Sequence, residues 1–451
     1  MKRIIALLPC IMLLLQANQS WAQFDKYFHN KTLRMDYAHC GDSQHDEIYF
    51  EELLEEPYWG GSKTNLIDTM FYGNYYLNVY DVASNQLIYS RGYCTLFGEW
   101  QTTDEAQTTQ RYCSETVVMP FPKNDVRIEI SARNKKGKFV KKFEYTVDVD
   151  NYFIKKDRRM QYPTYDVHYT GNPSRRVDIV LLPEGYTADE MDKFKADCKL
   201  FAEGLFSLSP YKENQDQFNI RAVLAPSQES GVDIPGEYIW KNTILNSSFY
   251  TFDSERYIMT YDNKSLRDLS ANVPYDFIYI IANTQKYGGG AIYNHYGISI
   301  SGNLHAAKVY VHEFGHLFLG LGDEYVEVGS SYNDFFIFCE TFGSSFHDRK
   351  SNGQYFVQCF FIFLQNFFFC LIDLCEDFFA VFQFQCLDAC LQLFHFRTFG
   401  SSRFMDIFFE FFRFGTEGVV VQFLNLRVGS FDLFHPGLDF FHVSCGFVSE
   451  N

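Results

Sequence analysis

The residues of this chain whose types and spacing can do chemistry stand together at His312-Glu313-Phe314-Gly315-His316. On a helix, side chains four positions apart lie on one face, one turn above the other, so both imidazoles can reach a single metal ion. The glutamate after the first histidine then points to the open side of that ion, where a general base is useful. Zn2+ is the ion that this donor set suits. The bland alternative is a pair of ordinary core histidines on a buried helix. The residues after the pair speak for the metal. Leu317-Phe318-Leu319-Gly320-Leu321-Gly322 leads into Asp323-Glu324-Tyr325. Gly320 can turn the chain, and the acidic pair behind it can bring a third ligand back.

Several elements must position these groups. On the helix, Val311, Phe314 and Phe318 are expected to face the core, with the two histidines on the neighbouring face and Asn303 as the cap. Before it, 292–300 is a strand-like run preceded by Gly288-Gly289-Gly290. The triple glycine reads as a flexible turn, or as a place where a peptide backbone can approach the strand. Further upstream, 177–182 is a strand of the buried type, stopped by Pro183-Glu184-Gly185. Thr187 and Glu190 form a capping box for a helix to about Leu208, whose apolar face is Met191, Phe194, Cys198, Phe201 and Leu205. Runs 218–224 and 277–282 are further strands, and 227–273 between them reads as polar loop. Strands alternating with helix predict an α/β domain over 177–334.

The half before it, 23–158, has a different pattern. Runs at 47–50, 75–82, 86–91, 126–132 and 139–149 are rich in Tyr, Val and Ile, with Ala83-Ser84-Asn85 and Asn134-Lys135-Lys136-Gly137 as turns. An antiparallel β-sandwich is the natural architecture. His29, His39 and His45 have no metal-ligand spacing and read as surface or loop residues. The charged, Pro-containing stretch 159–176 reads as a linker.

Three separated strings, HEFGHLFLGLGDEY, VDIVLLPEGYT, and NQLIYSRGY with GEW, resemble the IgA-peptidase family of secreted bacterial zinc metallopeptidases, in that family's order. The resemblance covers about 23–334. It implies an α+β multidomain chain, in which an N-terminal antiparallel β-sandwich is followed by a metzincin-like α/β zinc-peptidase domain. By position it makes His312 and His316 zinc ligands, Glu313 the general base and Asp323 the third ligand. Metzincins place the glycine three residues and the third ligand six after the second histidine. Here Gly320 is four after and Asp323 seven, an offset the family string shares. Glu324 is the alternative third ligand if the turn winds differently. Tyr325 is a supporting residue, through packing or a hydrogen bond at the site. The expected activity is zinc-dependent endopeptidase chemistry on a protein or peptide substrate, with immunoglobulin A or other glycoproteins suggested by the family. A non-catalytic secreted binding protein with a vestigial or truncated metallopeptidase half is the alternative.

Composition narrows the classes. The chain has 451 residues and a formal net charge of −17, without the basic stripe that nucleic acid requires. Lys2 and Arg3, the apolar run 4–15 and Ser20-Trp21-Ala22 form an expected signal peptide over 1–22. That run is too short for a transmembrane span. A secreted, periplasmic or cell-surface protein beginning at Gln23 is therefore expected. Cys94 and Cys113 flank one connection and are the favoured pair for a disulfide, with free buried thiols as the equal alternative.

After Asp334 the text changes. Residues 335–451 hold 31 of the 49 Phe and seven of the 12 Cys, but a single Lys. No steady strand or helix period would bury so many rings, so this tail is read as having an unknown fold or none. Phe codons are the reverse complements of a Glu and a Lys codon. The tail is thus expected to be antisense or misassembled text, with an unusual hydrophobic domain as the alternative. Met405 is the one methionine downstream of Asp323, and nothing supports it as the methionine turn that metzincins place below their metal.

Overall fold

The computed structural model describes residues 23–323 and, further along, the backbone of four strands between 394 and 445. The expected signal peptide, Glu324, Tyr325 and residues 326–393 lie outside the described residues. By contact the chain forms two compact units, one containing the residues up to Gly322 and one containing the C-terminal strands.

Alternating apolar and polar residues build the first half. Strands β1 (Phe28–Gly41), β2 (Asp46–Glu56), β3 (Tyr75–Asp81) and β4 (Leu87–Tyr93) are followed by a short helix α1 (Leu96–Trp100), then β5 (Arg111–Pro122), β6 (Val126–Arg133) and β7 (Phe139–Val147). They form two antiparallel sheets, ordered β2-β1-β5 and β4-β3-β6-β7. Leu33, Met35, Val79, Met119, Ile128 and Ile130 from both sheets meet in one apolar core. The β6–β7 hairpin turns where expected: Gly137 has φ 72°, and Asn134 Oδ1 accepts from the backbone N–H groups of Lys136 and Lys138.

β1 does not show in the pattern because its polar residues are buried. Arg34 is 1% exposed and grips Asp36 with two parallel bonds of 2.8 Å. Its Nη1 donates to Asp268 Oδ1 at 2.6 Å, across to the second half of the chain. Both carboxylates therefore keep partners out of water. His39, on the same strand, is fully buried and not the surface residue its spacing suggests. Its Nδ1 lies 2.9 Å from Glu115 Oε2, and its ring stacks on Phe97 at 4.0 Å. Burial opposes its charge, but Glu115 and Asp46 outweigh that and hold the imidazole above its ordinary value. Cys40, Cys94, Cys113 and Cys198 are all free thiols, so the expected Cys94–Cys113 disulfide is absent.

The second half is built on one mixed sheet, ordered β12-β13-β11-β9-β10-β8. Its strands are β8 (Thr164–His168), β9 (Val177–Glu184), β10 (Phe218–Val223), β11 (Phe277–Ala282), β12 (Gly289–Ile292) and β13 (Tyr296–Ile300). The four inner strands are parallel, and β8 and β12 run antiparallel at the two margins. β9 and β11 are buried nearly end to end, as inner parallel strands covered on both faces must be. β8 falls within the stretch read as a linker. Five residues are too few to show a period, and the strand takes its bonds from β10.

Three helices complete this half: α2 (Met191–Leu205), α3 (Asn263–Ser270) and α4 (Ala306–Leu319). The Thr187–Glu190 capping box is present, and Phe194, Cys198, Phe201 and Leu205 are fully buried along one face of α2. Phe201 packs its ring against Tyr310 and Phe314 of α4. The stretch 227–273 is more than loop, since it carries α3 and is organised by a buried carboxylate at the end of β9. Glu184 accepts from Thr243 Oγ1 and from the backbone N–H groups of Leu245 and Ser247.

In the C-terminal unit, β14 (Phe394–Gly400), β15 (Arg403–Thr416), β16 (Val419–Asp432) and β17 (His435–Cys445) form one antiparallel sheet in chain order. The strands lie where no steady period is visible in the sequence.

Candidate metal centre

Helix α4 presents its donors through the burial of its other face. Tyr310, Phe314 and Leu317 are fully buried, while Val311 and Phe318 pack partly buried against the same core. That leaves His312 and His316 half-buried on the adjacent side. The start differs from the expectation. His305 holds the cap position without a side-chain bond, and Asn303 sits two residues earlier, its Oδ1 accepting from His305 N–H at 2.9 Å. The helix ends as expected at Gly320, with φ 62°, the left-handed region in which a glycine costs least. Gly320 N–H donates to His316 O and Leu321 N–H to Gly315 O.

This turn orients His316. Its Nδ1 lies 2.5 Å from Leu321 O, an acceptor only, so Nδ1 carries the hydrogen and Nε2 keeps its lone pair. That Nε2 faces His312 Nε2 at 3.1 Å, with the rings nearly perpendicular. Asp323 joins the pair, and ligand atoms of His312, His316 and Asp323 all lie within 4.8 Å of one another. Two imidazole nitrogens and a carboxylate oxygen brought to one point fit a zinc ion. Among the described residues this is the one such group of three.

Glu313 is nearly buried, on the side of α4 that faces β12. A Cβ added to Gly289 would stand 2.5 Å from its Oε1. The triple glycine is therefore not a flexible turn. Gly289 and Gly290 lie in β12, and a side chain at Gly290 would collide with Tyr257 and Met259. Glycine here lets the marginal strand pass close to the helix and to the Tyr257 segment. The run read as one strand, 292–300, is a hairpin whose tip is Tyr293-Asn294-His295. Beneath the helix, Tyr279 donates to Ser299 Oγ at 2.9 Å. Burial first, and the Glu313 charge second, hold that phenol well above its ordinary value.

The sequence brings His312, Glu313, His316 and Asp323 to attention; the fold gathers His312, His316 and Asp323, and Glu313 stands on the same helix against Gly289. Glu324 and Tyr325 lie outside the described residues. Gly289 is missed as a site residue, although the rarity of three successive glycines before a strand could have marked it.

Two family models match the chain. The Peptidase M64 N-terminus model covers residues 23–144, and the IgA Peptidase M64 model covers 166–336. The second match begins inside the expected linker, where β8 lies. No curated protein matches the chain.

Proposed function

The chain belongs to the IgA peptidase M64 family, and from this premise we propose that it is a secreted, zinc-dependent endopeptidase. The observation that carries the reading is the convergence of His312, His316 and Asp323 beside Glu313. In this reading His312, His316 and Asp323 hold Zn2+. When bound, zinc supplies a Lewis acid that polarises a peptide carbonyl and acidifies water. Glu313 accepts a proton from the attacking water at a carboxylate oxygen and returns it to the leaving amine nitrogen. Its near burial beside Gly289 keeps that carboxylate aimed without a large loss of side-chain freedom at each turnover.

The mixed sheet with an antiparallel marginal strand next to the active-site helix supports a metzincin-like peptidase half. The Lys2-Arg3 start and the apolar run 4–15 support export with cleavage after Ala22. No described helix is long and apolar enough to cross a membrane. The family name makes immunoglobulin A the first substrate to try.

The test joins metal analysis to peptide cleavage. A chelator should abolish turnover and added zinc restore it, while Glu313→Gln should keep the metal and lose about 10²- to 10⁴-fold in kcat. Full turnover by zinc-loaded Glu313→Gln would sink the assignment of the base. Stoichiometric zinc without cleavage of any of a varied peptide set would favour the binding-protein alternative.

A further inference from the structure

Asn294 stands at the tip of the β12–β13 hairpin with φ 53°, in the left-handed region that asparagine tolerates better than most residues. Its backbone N–H donates to Leu317 O at 3.0 Å. Leu317 lies in the last turn of α4, where carbonyls have no partner within the helix. The hairpin tip thus closes the end of the helix from outside. The side chain of the same asparagine reaches the N-terminal half. Its Nδ2 donates to Gly92 O at 2.8 Å, and its Oδ1 accepts from Arg91 Nη2 at 3.0 Å. Beside these, Cys94 N–H donates to Tyr293 O at 3.0 Å. Arg91 also carries its guanidinium over the ring of Phe277, which packs edge-on against Phe318 of α4.

We propose that Asn294, backed by Arg91 and Gly92, is a positioning residue through which the N-terminal half sets the last turn of the metal-binding helix. The proposal rests on the metal reading above. One residue joins three elements: β4 through its side chain, the hairpin through its backbone, and α4 through Leu317. The turn it anchors is the one that orients His316, because Leu321 O holds the His316 Nδ1 hydrogen. Groups that hold a ligand in place without touching the metal commonly govern roughly 10- to 100-fold in metal affinity or activity. The N-terminal half is then a working part of the centre.

The test uses the full chain with two variants and a control. Asn294→Gly keeps the backbone conformation and the bond to Leu317 O but removes both side-chain links. Arg91→Met removes one link from the opposite side. Asn85→Gly, at φ 54° in the β3–β4 turn, is the control for a left-handed asparagine replaced by glycine. Hydrogen exchange at the Gly320 and Leu321 amides is read in metal-free protein, and zinc affinity by competition with a chelating dye. Both variants should exchange several-fold faster at these amides and bind zinc about tenfold more weakly, while the control does neither. Unchanged exchange in both variants would overturn the proposal whatever zinc does. Faster exchange in a protein that binds no zinc even as wild type would uphold the clamp and defeat the metal reading instead.

Discussion

A side chain at Gly289 and the carboxylate of Glu313 cannot both keep their places, since a Cβ there would come within 2.5 Å of Oε1. The obstructing atom is the far end of a flexible side chain, so the fold can absorb the clash by moving Glu313.

Gly289→Ala should therefore leave folding and zinc content near normal while kcat falls by roughly 100-fold, the scale on which a misplacement of about 1 Å acts. Metal analysis beside steady-state kinetics checks the split. Loss of zinc together with activity would mean that Gly289 supports the ligands and not the base.

Asp323 and Glu324 can be told apart by substitution. Asp323→Ala is expected to weaken zinc by well over ~100-fold, beyond the loss usual for groups outside the ligand set. Glu324→Ala should bind zinc like the wild type. Chelator competition on both variants decides between them, and the reverse ranking would move the third ligand to Glu324.

Arg34 is buried between Asp36 and Asp268. Arg34→Met would leave buried Asp36 without its cation and Asp268 with Arg159 at 4.0 Å, and breaking such a network by removing one partner costs about 3–5 kcal/mol. The midpoint of urea unfolding should drop accordingly. An unchanged midpoint would show that water reaches these carboxylates.

Glu56 belongs to the same network, its Oε1 without a hydrogen-bond partner but 3.8 Å from Arg34 Nη1. Burial pushes its carboxyl up to about 7, against the pull of Arg34 and Arg267. The sign comes from linkage: the folded chain holds this proton after the unfolded chain, with a carboxyl near ~4.3, has lost it. The stability that it contributes is full below about pH 4 and is lost as pH rises through about 7. Glu56→Gln cannot release a proton, so its stability relative to the wild type should grow between pH 5 and 8. Urea midpoints of both proteins at the two pH values measure this. A constant difference would place the Glu56 carboxyl at its ordinary value.

Where periodicity and burial agree, the fold is legible in the chain. Phe277–Ala282 is read as a strand residue for residue, and Thr187 with Glu190 marks the entry to α2. The candidate metal centre is legible for a related reason, since two histidines, a glutamate, Gly320 and Asp323 are tied together by the local geometry of one helix and its turn. Legibility fails where partners come from far along the chain. Arg34, Asp36 and His39 disguise β1 because their partners, such as Asp268 and Glu115, supply the tolerance for burial. Gly289 looks like a turn residue, and Asn294 like part of a strand, until the helix beside them is in place.

The links across the two halves join residues far apart in sequence: 234 residues separate Arg34 from Asp268, and 203 separate Arg91 from Asn294. A chain made from its N-terminus completes both early sheets long before α4 exists, and domains generally fold in that order. The platform at β4 is then waiting when the hairpin and helix arrive. On the proposed reading, ion capture comes after the early sheets have formed, and the hydrolytic centre stays unfinished until its support has been made.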